Sequence, residues 1–320
     1  MSKKQQPKKQ QLKKFFRHKK LENIQLIEGV ERTLTNNRGY VFKMPKPKTP
    51  VILLLSGGLD SVSTWKILVK RFKLNVYPVV FQDPKEPRAG ERRAVKDIAR
   101  YFKKPFGKLY HEPQFFTVSF LANEYRRSFD QHLYKNPQAI ASFLDERGYF
   151  NVDLPGLTGA LALYAMQFRN SLFFKSNLKI NTIFSSVVRS DGEAVAHQTF
   201  TASRAIMLML NGVMGEKHLQ FTSLAFEPEL FETYLDTADL LELQKRTKPA
   251  LPVEKTWSCL MDYQHQCGVC RSCLNRKAAL KTAGITDTTY YRQPLSSKVN
   301  IFNQVKQWLK KVLQYDRRFE

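Results

Sequence analysis

Residues 56–61, read as SGGLDS, have side chains and backbone suited to binding a phosphate group. Gly57 and Gly58 let the backbone approach an oxyanion, because neither has a Cβ in the way. The apolar run at 51–55 is typical of a buried parallel strand, and a helical pattern follows the turn. The N–H groups at a helix start are free to bind an anion, and the helix dipole favours negative charge there. We therefore predict a phosphate site at this turn.

The polar side chains of this turn extend the prediction. Ser56 and Ser61 can donate hydroxyl hydrogen bonds, and Asp60 can cap the helix or hold a Mg²⁺ ion that bridges phosphates. The stretch has neither the lysine of a P-loop nor the third glycine of a dinucleotide-binding turn. Phe81 ends the next predicted strand, where it can either lie against adenine or pack in the core.

The chain also has four clustered cysteines, namely Cys259, Cys267, Cys270 and Cys273. Zn²⁺ takes four soft ligands in a tetrahedron, and CxxC spacings let one turn supply two or three of them. A closed set of four thiolates predicts a structural zinc ion. An iron–sulfur cluster or two disulfides are the alternatives, with His265 as a spare ligand. Basic residues beside the thiols, Arg276 among them, are candidates for contact with nucleic acid.

The composition favours a cytoplasmic protein that attracts anions. The 320 residues carry a formal net charge of +24, which favours nucleic acid, nucleotides or acidic protein surfaces as partners. The sequence has no apolar run long enough to span a bilayer, so we expect no membrane partner. Cysteines confined to 259–273 are not the spaced framework of a secreted protein.

We predict four segments along the chain. Residues 1–48 are a basic, flexible N-terminal extension and linker, in which 21–42 form a short accessory element. Residues 49–255 are an α/β nucleotide-binding domain, 256–291 a zinc-binding segment, and 292–320 a basic amphipathic helix. The first 20 residues hold lysine and arginine but no acid. They are either an arm that binds nucleic acid or an acidic protein, or an inert solvated tail.

Strands that alternate with helical patterns predict a doubly wound parallel sheet. We expect strands at 51–55, 75–81, 107–111, 180–188 and 219–225. We expect helices at 61–72, 90–102, 119–150, 157–168, 203–213 and 230–243. In such a sheet ligands bind at the carboxyl ends of the strands, near the switch point. The turns at 56–61, 81–84, 153–158 and 189–192 should therefore gather at one edge.

Two motifs carry a family resemblance. SGGLDS resembles the SGGxDS signature of the PP-loop ATP pyrophosphatases, which have a HUP-type fold and cleave ATP to AMP and pyrophosphate. The stretch at 256–276 resembles the zinc segment of the 7-cyano-7-deazaguanine synthases (QueC-like enzymes), whose pattern is a cysteine, a gap and CGxCxxCxxR. DLPG at 153–156 and FSSVVRSD at 184–191 resemble two substrate loops of those enzymes. The likeness covers about 50–291.

The substrate end departs from that pattern, whereas the ATP end and the metal end keep it. Leu157 and Thr158 replace the Arg-Asn that follows Pro-Gly in the synthases, and residues 82–86 replace Tyr-Gly-Gln-Arg-His. The sequence AHQT at 196–199 lies near the expected Gly-Tyr-Pro-Asp-Cys, and the lysine expected around 228–229 is absent. The sequence therefore resembles that of a divergent relative of the synthases and not that of a standard member.

The resemblance implies a ligase that forms C–N bonds and uses ATP, Mg²⁺ and Zn²⁺. It would adenylate 7-carboxy-7-deazaguanine or a similar deazapurine carboxylate and pass the acyl group to an amine. Ammonia would give the amide and then 7-cyano-7-deazaguanine, as in queuosine biosynthesis. The altered pocket also admits an amine on a macromolecule, in a DNA-modification or antiviral defence system. A second copy of the chain, as a homo-oligomer, is a further candidate partner.

The resemblance also implies roles for single residues. Asp60 and Ser61 would be catalytic. ATP and pyrophosphate would be held by Ser56, Gly57, Gly58, Leu59, Asp60, Ser61 and Phe81. The substrate would be bound by Gly156, Arg189 and Asp191, although Asp191 is equally well a turn residue before Gly192.

Two other functions compete with this one. A tRNA-modifying PP-loop enzyme, such as a thiolase or lysidine synthetase, would suit the basic arm, but zinc accounts for the cysteines better than sulfur transfer does. A nucleic-acid-binding module without catalysis would not need to keep the aspartate and serine of residues 56–61.

Overall fold

The computed structural model describes residues 14, 16, 20–82, 89–118, 156–193, 195–259 and 265–292. The helices predicted at 119–150 and 292–320, the turn at 83–84 and most of the arm lie outside these residues. The described helices are α1 (Ile24–Arg38), α2 (Leu59–Lys70), α3 (Ala89–Phe106), α4 (Leu157–Ser176), α5 (Phe200–Met214), α6 (Pro228–Phe231), α7 (Thr237–Lys245) and α8 (Arg271–Thr282). None of them is long and apolar enough to cross a bilayer.

Five parallel strands form one sheet in the order β3-β2-β1-β4-β5. The strands are β1 (Pro50–Leu54), β2 (Asn75–Gln82), β3 (Gln114–Thr117), β4 (Thr182–Ser185) and β5 (Gln220–Ser223). The strand order reverses between β1 and β4, which makes the carboxyl ends of these two strands the switch point. The predicted doubly wound α/β fold is confirmed.

The central strand β1 is buried on both faces, which explains its unbroken apolar run. Val51 and Leu53 point to one side and join a core with Trp65 of α2. Ile52 points to the other side and joins a core with Met207 of α5. Successive side chains of a strand alternate between faces, so each layer of helices covers one set.

Several predicted elements differ from the structure in place or extent. Strand β4 is Thr182–Ser185 and not 180–188, and helix α4 continues to Ser176 and does not end at 168. The third strand is Gln114–Thr117, not 107–111, because Gly107 adopts φ +55° and the chain makes a 3-10 turn at Gly107–Leu109. The helix predicted at 230–243 is two helices, α6 and α7. Glu232 ends α6 in a left-handed conformation, and Asp236 with Asp239 forms a capping box that starts α7.

Residues of the predicted N-terminal extension pack on the α/β domain. Helix α1 lies within the accessory element expected at 21–42 and buries Ile27, Val30 and Leu34. Phe16 is 1% exposed, with its ring 5.4 Å from that of Phe200 and 4.8 Å from that of Tyr234. The aromatic ring explains this packing, because the free energy gained by burying it exceeds the tendency of the neighbouring lysines to keep this segment in water. The domain boundary near residue 48 stays a prediction.

Candidate functional site

The turn between β1 and α2 requires glycine at its first position. Gly57 has φ +84°, and a Cβ there would lie 3.2 Å from both the Glu91 carbonyl oxygen and a Val95 methyl carbon. Gly58 is the N-cap of α2 and supplies no side-chain cap. The first N–H groups of α2 are therefore without a side-chain acceptor from the cap residue, as an anion site needs.

Ser61 holds this turn in place from within α2. Its Oγ accepts hydrogen bonds from the backbone N–H groups of Ser56 at 3.3 Å and Gly57 at 3.2 Å, and donates one to the Gly58 carbonyl oxygen at 3.1 Å. The Ser56 hydroxyl lies 3.1 Å from the Ser61 hydroxyl. Ser61 thus fixes the shape of the loop, and Leu59 is buried beneath it.

The C-terminal segment closes over the same turn. The Trp257 N–H donates to the Gly57 carbonyl oxygen at 2.9 Å. The Trp257 ring lies directly on Gly90, where a Cβ would be 2.2 Å from the ring, so only glycine fits there. Trp257 Nε1 donates to the Cys259 carbonyl oxygen at 2.9 Å, which links the turn to the first cysteine. Sequence patterns gave no signal for this contact.

The four cysteine sulfurs lie within 4.8 Å of one another, and none is in a disulfide. A zinc–sulfur distance of about 2.3 Å in a tetrahedron requires sulfurs about 3.8 Å apart. The Cys267 and Cys273 sulfurs are 3.9 Å apart. The Cys267 N–H donates to the Cys259 sulfur at 3.4 Å, and the Cys270 N–H donates to the Cys267 sulfur at 3.3 Å, which stabilises thiolate charge. The donor set fits a tetrahedral metal ion and lacks His265.

Arg276 has a structural place and is not available to nucleic acid. Its side chain is 2% exposed. It donates to the Val253 carbonyl oxygen at 2.6 Å, to Thr256 Oγ1 at 2.6 Å and to Thr289 Oγ1 at 2.7 Å. These bonds tie helix α8 to the chain on both sides of the cysteines. The sequence suggestion of a nucleic-acid contact is wrong for this residue because its charge is buried.

Two carboxyl groups from different loops act on each other at the switch point. Burial raises the pKa of Asp60 to about 6, although a hydrogen bond from Thr237 lowers it in part. Burial, followed by the charge of Asp60, raises the pKa of Asp191 to about 7. Asp60 Oδ1 is buried with no hydrogen-bond partner among the described residues. The Val188 N–H donates to Asp191 Oδ2 at 2.9 Å.

The other predicted site residues are held in contacts of their own. The Arg189 guanidinium pairs with the Asp236 carboxylate at the start of α7. The Phe81 ring is half-buried, 5.7 Å from the Tyr164 ring and 6.0 Å from the Phe116 ring, as its packing alternative requires. Gly156, with φ +72°, precedes α4. The turns at 56–61 and 189–192 do meet, as their carboxyl groups show.

Two of the segments that depart from the synthase pattern, 157–158 and 196–199, contact each other. Thr158 Oγ1, in the first turn of α4, lies 2.8 Å from His197 Nδ1. Thr158 is buried, and His197 is half-buried. The departures are therefore coupled in space, although 39 positions separate them in the chain.

Glu22 is a residue of this region that sequence reasoning missed. Its carboxylate accepts the N–H groups of Phe200 at 2.8 Å and Thr201 at 2.9 Å, and so caps the start of α5. One of its oxygens lies 3.3 Å from where a Cβ on Gly192 would be. Glu22 is the first acidic residue of the chain, which was the available signal.

Comparison with known proteins finds similar sequences among the 7-cyano-7-deazaguanine synthases. The family described as "Queuosine biosynthesis protein QueC" matches residues 169–284. The 7-cyano-7-deazaguanine synthase of Nautilia profundicola is 25% identical over 76% of this chain and 98% of that enzyme. The synthase of Methanococcus vannielii is 25% identical over 75% of this chain and 97% of that enzyme.

Among solved structures, the crystal structure of a predicted subunit of tRNA methyltransferase from Methanocaldococcus jannaschii covers 77% of this chain and 94% of its own. It is 12% identical to this chain, with a TM-score of 0.38. The sequence comparisons, together with the glycine turn and the four thiols, show that this chain is similar to the 7-cyano-7-deazaguanine synthases and diverges from them in sequence.

Proposed function

We propose that this chain is an ATP-dependent ligase that activates a carboxylate on a 7-deazapurine or a similar ring. A carboxylate oxygen attacks the α-phosphorus of ATP, and the bond to pyrophosphate breaks. An amine then attacks the acyl carbon, AMP leaves with its electron pair, and the amine loses a proton. The observation that carries the proposal is the glycine turn at the head of α2, uncapped and closed by Trp257.

At the phosphate end, backbone N–H groups and hydroxyl groups would bind the ligand. The N–H groups at the start of α2 and the Ser56 hydroxyl would bind the pyrophosphate part of ATP, where charge develops as the bond breaks. Ser61 keeps the turn in shape for this. Phe81 would border the adenine ring while remaining packed on Tyr164.

Asp60 is the residue suited to a magnesium ion. Its buried Oδ1 has no partner among the described residues, and a carboxylate oxygen is a ligand that Mg²⁺ prefers. A bound Mg²⁺ would supply positive charge against the phosphates, and it would lower the pKa of Asp60 from its raised value. Zinc at the four cysteines would be structural, since the set leaves no open position.

Asp191 is the residue that would recognise the substrate. A carboxylate can accept two hydrogen bonds from the N–H groups on one edge of a guanine-like ring. Gly156 would let the start of α4 approach the substrate without a Cβ, and Arg189 would position the loop through its pair with Asp236. Thr158 and His197 take the place of family residues here, so the amine acceptor can differ from ammonia and can lie on a macromolecule, as in a DNA-modification or antiviral system.

The test is product analysis with ATP, 7-carboxy-7-deazaguanine and ammonium. We expect AMP and pyrophosphate, and we expect Asp60→Ala to abolish them while the variant keeps its fold. The control Asp97→Ala removes an acid from the surface of α3 and should leave turnover unchanged. ADP and phosphate as the main products would refute the proposal. If AMP forms with a different amine and no nitrile is produced, this chain differs from the synthases in the amine that it accepts.

A further inference from the structure

We infer that the exposed face of α3 is a docking surface for the phosphate backbone of a nucleic acid. This basic face consists of Arg92, Arg93, Lys96, Arg100, Lys103 and Lys104, all of them exposed. The inference concerns a surface distinct from the basic arm at 1–20, and it does not depend on the proposed ligase activity.

The helix separates its residues sharply into two faces. Val95, Ile98 and Phe102 are fully buried in the core. Positions 92, 96, 100 and 103 are spaced by three or four residues, so their side chains form one stripe. At 1.5 Å per residue the stripe is about 17 Å long. Since a helix is rigid, this spacing of cations is fixed before any partner binds.

The face carries little negative charge to neutralise it. Glu91 and Asp97 are the acidic residues of α3, and Asp97 already pairs with Arg100. Lys108 is exposed just after the helix. Shallow grooves of about 300 Å³ and 250 Å³ follow the face; Asp97 and Arg100 border both of them, and Lys255 borders the first. Cationic side chains therefore outnumber acidic ones along this face.

The chemistry of the face favours a nucleic acid over an acidic protein. A stable protein interface needs an apolar centre. The exposed large apolar side chains among the described residues lie elsewhere, for example at Phe174 and Val213, and none is on α3. Contacts to phosphates need only cations and N–H donors, and arginine matches phosphate with two parallel hydrogen bonds.

One end of this basic face lies near the candidate site. Its first turn packs on Gly57 and Gly90 contacts Trp257, so the face begins beside the glycine turn. The Arg93 guanidinium lies 5.5 Å over the Trp257 ring, and the Arg92 guanidinium lies 5.4 Å over the Phe115 ring. These contacts hold the first two cations in place. A strand bound along the stripe would therefore have one end at the candidate site.

The experiment measures binding of the full chain to a 30-nucleotide single-stranded RNA and a 30-base-pair DNA by fluorescence anisotropy between 50 and 200 mM salt. The face variant is Lys96→Gln/Arg100→Gln/Lys103→Gln. The matched control removes the same charge from exposed lysines at the opposite side of the sheet, Lys175→Gln/Lys179→Gln/Lys217→Gln. Arg92 and Arg93 are left intact because they pack on aromatic rings.

We expect the face variant to lose at least tenfold in affinity at 50 mM salt. Its log–log salt slope should shrink by about 0.9 per lost phosphate contact on duplex DNA, or about 0.7 on single strands. The control should keep the wild-type slope. Equal losses in both variants, or no binding to either nucleic acid, would overturn the inference. Tighter, face-dependent binding of poly-glutamate would assign the surface to an acidic protein instead.

A second measurement covers the case in which the face variant fails to fold. Acetylation of the wild-type chain, read by mass spectrometry, reports the accessibility of each lysine. Bound nucleic acid should protect Lys96 and Lys103 but not Lys175 or Lys179. The reverse pattern, or uniform protection, contradicts the inference without any variant.

Discussion

The two ends of the candidate site are held in place by different means. At the phosphate end, backbone groups of Gly57 and Gly58 make the site, and the C-terminal segment closes it through Trp257. At the proposed end for the substrate and the amine acceptor (the acceptor end), Asp191 lies near residues that Glu22 and Phe16 of the N-terminal extension hold in place. Residues 16–22 and Trp257, although far apart in the chain, thus hold the two ends of the candidate site.

This difference explains which parts of the sequence keep the family pattern. A backbone site tolerates few changes, because Gly57 has a positive φ and a Cβ would meet Glu91 and Val95. A loop that is fixed by side chains of other segments can change its own sequence as long as those side chains are kept. Thr158, in the first turn of α4, and His197 both differ from the synthase pattern, and they contact each other.

The largest effect should come from the metal segment, on which the phosphate end depends. We expect about one zinc per chain by elemental analysis, and Cys270→Ser should lose both the zinc and much of the cooperative thermal unfolding, because metal binding here is folding energy. Val269→Ser, at an exposed neighbour, should change neither. Iron with visible absorbance would assign the cysteines to a cluster instead.

Next in size should be the loss of the aromatic ring that secures the acceptor end. Phe16→Ala should lower the free energy of unfolding by about 3–5 kcal/mol, because it empties a fully buried ring site. Phe174→Ala removes an equal ring that is 82% exposed and should cost little. Urea unfolding of both variants checks this. Similar, small losses would mean that the extension is an inert tail.

A pH-dependent effect should distinguish the carboxyl groups. The pKa of Asp191 is raised to about 7, so folding holds a proton that the unfolded chain releases near pH 4. The stability from this group is complete below pH 4 and is lost as the pH rises through 7. Without added magnesium, the stabilisation of Asp191→Asn over wild type should therefore be about 2–3 kcal/mol larger at pH 8 than at pH 5.

Chemical unfolding at the two pH values measures that gain, with the surface variant Asp97→Asn as the control. A gain of equal size at pH 5 and pH 8 would show that Asp191 is not the titrating group.

The smallest effect should come from the helix cap at the acceptor end. Glu22→Gln should lower the free energy of unfolding by about 1 kcal/mol, since the N–H groups of Phe200 and Thr201 lose a charged acceptor. Hydrogen exchange at those two amides should become faster. Glu242→Gln, which breaks an exposed pair with Lys245, should leave both measures unchanged.

The phosphate turn, the cysteine set and the parallel sheet could be predicted because each is a local pattern. Residues 56–61 adjoin the strand and helix that hold them, and the four cysteines span only 259–273. The core faces of α2 and α3 follow from apolar spacing alone. These features need no knowledge of distant contacts.

The rest depends on contacts that no local pattern encodes. The bonds from Glu22 to Phe200 and from Trp257 to Gly57 join residues far apart in the chain. The sequence predicts a strand at 107–111, whereas Gly107 has a positive φ and the chain turns there. The sequence around Arg276 is typical of an exposed basic residue. Its hydrogen bonds to Thr256 and Thr289, which are distant in the chain, explain why it is buried.

The hydrogen bond between Trp257 and Gly57 has a consequence for the order of synthesis. The glycine turn leaves the ribosome two hundred residues before the tryptophan that closes it. A nascent or truncated chain therefore has the turn without its cover and without the metal segment beside it. A fragment that ends before residue 257 would therefore lack a complete form of the proposed nucleotide site, and the proposed activation would require synthesis to continue past the four cysteines.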